Sequence, residues 1–167
     1  MHLVVKRAAS AWAILGGLVI LLIVAVTSTN VGAFGIDRLA RLFGTHFPAL
    51  PGFEDFVRLA ISCAALMFFP YCQSKRGHVF VDLFTKSMPA GVQRALDVLS
   101  LVLTIFLALF LAYWMTLGLL ETRADHAVSR VLGWPEWPFY LPGIASLILW
   151  ALVAVAQLFD SPEPIRD

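Results

Sequence analysis

Charge is the first thing this chain lacks. Only 14% of its 167 residues are Asp, Glu, Lys or Arg, against about a quarter in soluble domains. Hydrophobic residues make up 60%. A water-soluble fold of this length could not cover its surface with so few charges, so the chain reads as an integral membrane protein. Its acids and bases nearly cancel, to a formal net charge of +1, which gives no argument for nucleic acid as a partner. Cysteine is scarce too, with Cys63 and Cys72 alone. Nine residues apart in one apolar segment, they would sit roughly 13 Å apart on a helix. That is too far for a disulfide, and both read as packing residues.

What is present is apolar sequence, in four runs. The spans fall at about 8–28, 56–72, 95–120 and 139–159, close to the ~20 residues that cross a bilayer. The first follows Lys6 and Arg7, as a signal peptide would, but its 19-residue apolar stretch exceeds the usual ~7–15. It is expected to be a retained transmembrane helix. The third is long enough to tilt or project. Between the first two spans, Ile36, Leu39, Ala40, Phe43 and Phe47 recur at helical spacing, with Asp37, Arg38, Arg41 and Thr45 largely on the other face. That pattern predicts a short separate helix over 36–47. It either lies in the interface as a platform for headgroups or a partner, or simply connects the spans. Before the fourth span, Trp134 and Trp137 stand where interfacial anchors belong.

The expected architecture is thus an all-α membrane protein. It has one domain over 1–167, four transmembrane helices and a short interfacial helix. Four spans put both termini on one side. With the middle loop, that side collects seven basic residues, all three lysines among them, against five on the other. By the positive-inside rule both termini are cytoplasmic, and the 36–47 helix is periplasmic.

The interiors of the spans are missing the groups that do chemistry in a bilayer. They hold no Asp, Glu, Lys, Arg or His, since Arg58 and Asp97 lie near span ends and His2, His46, His78 and His126 lie outside. A pump or proton-coupled carrier needs a buried ionisable group, and a haem anchor needs ligands at depth. There is no Gly-rich phosphate loop, no metal-ligand cluster and no nucleophile paired with a base. No catalytic residue, substrate site, metal or cofactor is therefore expected. Such a protein serves another subunit, and small residues such as Ala9, Ala11, Ala64 and Ala65 would let helices pack closely.

Residues 52–82 are the most informative stretch. They open on Glu54, Asp55 and Arg58, cross the second span, and end in a loop with Gly77, His78 and Asp82. Glu54 and Arg58 are four apart with the acid first, the favourable order for an ion pair on a helix. That pairing would ease the presence of charge at a membrane interface. Asp82 is a candidate N-cap, and His78 a loop hydrogen-bonding group that could also titrate.

Three pieces of the chain together resemble the small membrane subunit of tripartite ATP-independent periplasmic (TRAP) transporters, the DctQ-like family. They are Glu54-Asp55-Phe56-Val57-Arg58, Gly77-His78-Val79-Phe80-Val81-Asp82, and Trp134-Pro135-Glu136-Trp137-Pro138. Glu136 departs from the apolar or small residue expected there. The resemblance implies a scaffold in the bacterial inner membrane. It would pair stably with a large membrane subunit that carries an organic acid inward on a sodium gradient. A periplasmic substrate-binding protein would be a transient partner. Glu54, Asp55 and Arg58 would then fix the periplasmic start of the second helix or touch the large subunit. The alternative is a membrane anchor or assembly subunit of another inner-membrane complex.

Overall fold

A computed structural model describes residues 2–45, 51–75 and 89–159. These are helical, with no β-strand among them and one isolated antiparallel bridge, between Val128 and Pro135. The helices are α1 (His2–Ala40), α2 (Phe53–Met67), α3 (Phe69–Ser74), α4 (Ala90–Ala124) and α5 (Tyr140–Phe159). Among the described residues, four segments are long and apolar enough to cross a membrane: Val4–Phe43, Phe53–Ser74, Gly91–Ala124 and Trp137–Phe159.

Two boundaries differ from expectation. No separate helix begins at residue 36, because α1 runs unbroken to Ala40 and closes in a 3-10 turn at Arg41–Phe43. The reason is local. No proline interrupts residues 2–45, and Thr29 bonds back to the Ala25 carbonyl at 2.8 Å instead of opening the helix. The helix ends at Gly44, whose φ of 75° is the left-handed conformation that glycine adopts without penalty. The second span, by contrast, is broken. Phe68 separates α2 from α3, and Pro70 lacks the N–H that would have continued the ladder.

Lipid tails are as apolar as leucine, so close packing and polar contacts hold such helices together. α5 is the hub, touching α1, α2, α3 and α4. Gly143 admits two of them, α2 and α4, since a Cβ there would lie 3.0 Å from Leu66 Cδ1 and collide with Met115. Gly16 does the same between α1 and α2, where an added Cβ would meet Met67 Cβ at 2.9 Å. Of the expected small-residue contacts, Ala9 and Ala64 are buried, whereas Ala11 and Ala65 face outward.

Several polar groups inside the bundle pair with one another. Trp12 donates its indole N–H to Ser146 Oγ at 2.8 Å, and Ser146 donates to the Pro142 carbonyl at 2.7 Å. Near the far end of α3, Gln73 Nε2 donates to Gln157 Oε1 at 2.8 Å, while Gln157 Nε2 donates to the Gln73 carbonyl at 2.7 Å. Trp150 adds a bond to Gln73 Oε1 at 3.3 Å. This closed amide pair latches α3 to α5, where an unpaired amide would cost free energy.

Candidate functional site

The charged residues singled out in the sequence meet at one end of the bundle, where α2 begins and the 125–136 connection lies over it. That connection is a compact hairpin built from its own backbone. Ser129 N–H donates to the Trp134 carbonyl at 2.8 Å, Glu136 N–H to the Ala127 carbonyl at 3.1 Å, and Trp134 N–H to Ser129 Oγ at 3.1 Å. Gly133, at φ 64°, supplies the left-handed turn.

Asp55 then fastens α2 to this hairpin. Its carboxylate Oδ2 accepts the backbone N–H of Val131 at 2.7 Å and of Leu132 at 3.2 Å. The residue is buried, at 7% exposure, so these amides take the place of water as its partners. The approach is close enough to require glycine at residue 52. Its φ is 80°, and a Cβ there would sit 2.7 Å from Leu132 Cγ.

Arg58 continues the seam, but with another acid than expected. Its ion pair is with Glu136, Nη2 to Oε1 at 2.8 Å, and the i,i+4 pairing with Glu54 does not form. The clamp at Asp55 holds the hairpin beside α2, which brings Glu136 within reach. Glu54 instead lines the adjoining depression. Both partners of the pair are partly exposed, 54% and 26%, so it contributes modestly to stability. The residue out of place in the resemblance thus receives a physical role.

Aromatic and thiol contacts extend the joint. Phe56 meets Trp134 edge to face, with ring centroids 6.4 Å apart. Trp137 carries the Arg123 guanidinium over its ring at 5.5 Å. Two turns further along α2, Cys63 donates its thiol to the Phe139 carbonyl at 2.8 Å. An open depression of about 500 Å³ adjoins the joint, lined by Phe34, Gly52, Glu54, Asp55, Arg58 and Arg130 among others.

Gly77, His78 and Asp82 lie outside the described residues, so the joint gathers Glu54, Asp55, Arg58, Trp134 and Trp137 only. Sequence reasoning missed Ser129, Glu136, Cys63 and the Gln73–Gln157 pair. The Ser129…Gly133 spacing was a readable turn signal. Nothing local could foretell an acid pairing across 78 residues. Among the described residues no group of three or more His, Cys, Asp or Glu gathers as metal ligands would. The carboxylate of Asp55 is engaged in holding backbone. The arrangement builds a rigid, polar-stitched surface at one end of an apolar bundle.

The family model described as Tripartite ATP-independent periplasmic transporters, DctQ component, matches residues 31–161. That is most of the chain, and it includes every residue of the joint. The chain belongs to this DctQ family. A search of curated proteins finds no match, and neither does a search of solved structures. Membership makes the chain the small membrane component of a TRAP transporter, and with four apolar helices it is a multi-pass membrane protein. The family is one of transporter components.

Proposed function

We propose that this DctQ-family chain is a scaffold subunit without a substrate site of its own. It pairs stably with a large membrane subunit, which carries an organic acid inward by sodium symport. A periplasmic binding protein delivers the substrate and contacts the pair transiently. In this reading the chain sits in a bacterial inner membrane with both termini cytoplasmic, and the Asp55 joint faces the periplasm.

The observation that carries the reading is the distribution of polar groups. The membrane-depth stretches of all four spans have no Asp, Glu, Lys, Arg or His, although coupling ion flux to substrate movement calls for polar or charged ligands near the midplane. The charges gather instead at an end, where Asp55 and Arg58 fasten a hairpin. Such a layout suits a protein that presents a fixed shape to a partner.

The test is a mild-detergent pull-down of the tagged chain from its native membrane, with mass spectrometry of what accompanies it. One large, many-span permease recovered in comparable amount is the expected result. Recovery of the chain alone, as a homo-oligomer, would overturn the proposal.

A further inference from the structure

We infer that a cleft between the end of α4 and the 125–136 hairpin binds the phosphate group of a membrane phospholipid. The cleft, of about 340 Å³, is lined by Arg123, His126, Ala127, Val128, Pro135 and Trp137. It shares no lining residue with the depression beside Asp55. Such a site goes beyond the proposed function and does not depend on which partner the chain serves.

Its level in the membrane follows from the two helices that meet there. From Val98 to Leu120, α4 carries no Asp, Glu, Lys, Arg or His. That stretch is about 34 Å long at 1.5 Å per residue, enough to fill a hydrocarbon core of ~30 Å. Arg123 stands about one turn beyond it. Trp137 opens the last membrane-crossing segment, Trp137–Phe159, and the Arg123 guanidinium lies 5.5 Å from its ring centroid. A tryptophan at the start of one span and a cation at the end of its neighbour mark the headgroup level.

The charge of the cleft has one sign. Its lining holds a permanent cation and a histidine but no Asp or Glu. Among the described residues Arg123 forms no ion pair, whereas Arg41 holds Asp37 and Arg58 holds Glu136. The carbonyls at the end of α4, which would repel an anion, are already bonded within the cap. His126 N–H donates to the Arg123 carbonyl at 3.3 Å, and Ala127 N–H to the Thr122 carbonyl at 3.1 Å. What lines the cleft is therefore a guanidinium set over an indole, together with an imidazole. Arginine suits phosphate because its forked donors match two phosphate oxygens at once.

The backbone points the same way. Those two bonds make the common helix-ending cap whose left-handed residue is usually glycine. Here that residue is His126, at φ 49°, the one non-glycine with positive φ among the described residues. A side chain in that conformation is strained, and such strain gathers where ligands are held. An imidazole donates an N–H to a phosphate oxygen in either protonation state. Position then decides the source of the phosphate. Leu120, one turn before Arg123 on α4, is 53% exposed, so an acyl chain can lie along the helix while its headgroup reaches the cleft. Free phosphate lacks that second contact.

The test is native mass spectrometry of the full chain in nonionic detergent, titrated with phosphatidylglycerol. Diacylglycerol with the same acyl chains, which lacks the phosphate, and inorganic phosphate are the comparison probes. Phosphatidylglycerol should bind about tenfold or more tightly than diacylglycerol, and inorganic phosphate in about tenfold excess should not displace it. Arg123→Gln should weaken that binding by about tenfold, whereas Arg130→Gln, which removes the same charge from the same hairpin, should leave it unchanged. His126→Gly should weaken it about threefold while raising the thermal midpoint, since glycine relieves the backbone strain. That combination excludes a failure to fold as the cause. Equal binding of diacylglycerol, displacement by inorganic phosphate, or equal losses with Arg123→Gln and Arg130→Gln would each overturn the inference. So would undiminished binding with His126→Gly. In the native membrane, a photo-crosslinking amino acid at Val128, on the rim of the cleft, should mark lipid. Adducts with protein alone would give the cleft to an acidic partner segment and overturn the inference too.

Discussion

α4 and α5 are neighbours of similar oiliness that the bundle uses in opposite ways. In α5, 39% of the apolar window is buried inside the chain, against 11% in α4. α5 buries Gly143, Ser146, Ala151, Ala154 and Ala156, and is in contact on several sides. α4 buries Ala108, Ala112 and Leu119 along one edge and turns Leu99, Leu103, Phe106 and Phe110 outward. Hydrophobicity does not separate the two helices; side-chain size does. Where attraction between apolar groups is no stronger than attraction to lipid, backbones close up along small residues, and bulky ones are left to face the surroundings.

The sharpest break of that contrast is Gly143→Leu, which should destabilise the bundle by more than about 2 kcal/mol, because Met115 and Leu66 occupy the space. Unfolding in mixed detergent, followed by tryptophan fluorescence, would measure it. An unchanged midpoint would mean that α5 is less crowded than described. The next largest effect is expected from Asp55→Ala, which leaves the Val131 and Leu132 amides without their acceptor. Protease cleavage within 125–136 should accelerate. Asp55→Asn, which keeps an acceptor oxygen, should restore part of the protection.

Gln157→Leu should cost about 1–2 kcal/mol, since Gln73 loses the two bonds that Gln157 makes to it. The same unfolding assay reads it, and a gain in stability would show that the latch is dispensable. Arg58→Ala should lower stability by less than about 1 kcal/mol, because its pair with Glu136 is partly exposed. It should nevertheless reduce recovery of the large subunit more than Arg130→Ala does, and equal recovery would remove any role for the pair in assembly. Smallest of all is Phe106→Ala on the outward side of α4, expected within about 0.5 kcal/mol. A large loss there would mean that this face is packed in the isolated chain.

The contrast also shows what was legible in the sequence. Four spans could be read because apolar runs near ~20 residues have one common explanation, and the absence of charge at depth could be read directly. Asp55 and Arg58 stood out as charges beside a membrane, yet their partners did not. Val131, Leu132 and Glu136 are brought to them by the hairpin, a tertiary event that the i,i+4 rule for Glu54 and Arg58 cannot see. Residues 36–40 carried a correct helical period, but periodicity does not tell a new helix from the continuation of an old one. α5 meets α2 and α4 at Gly143, and one glycine in an apolar run gives no warning of two neighbouring helices converging on it. The Gln73–Gln157 latch was hidden for a similar reason, as each residue alone looks like the polar end of a span.

The central claim is that this chain supports transport without performing it. The most direct measurement is sodium-driven uptake of the binding protein's ligand into proteoliposomes. One set holds this chain alone, one the large subunit alone, and one both, each with the binding protein added. The account predicts uptake only when both membrane subunits are present. Uptake by this chain alone, or undiminished uptake in its absence, would contradict it.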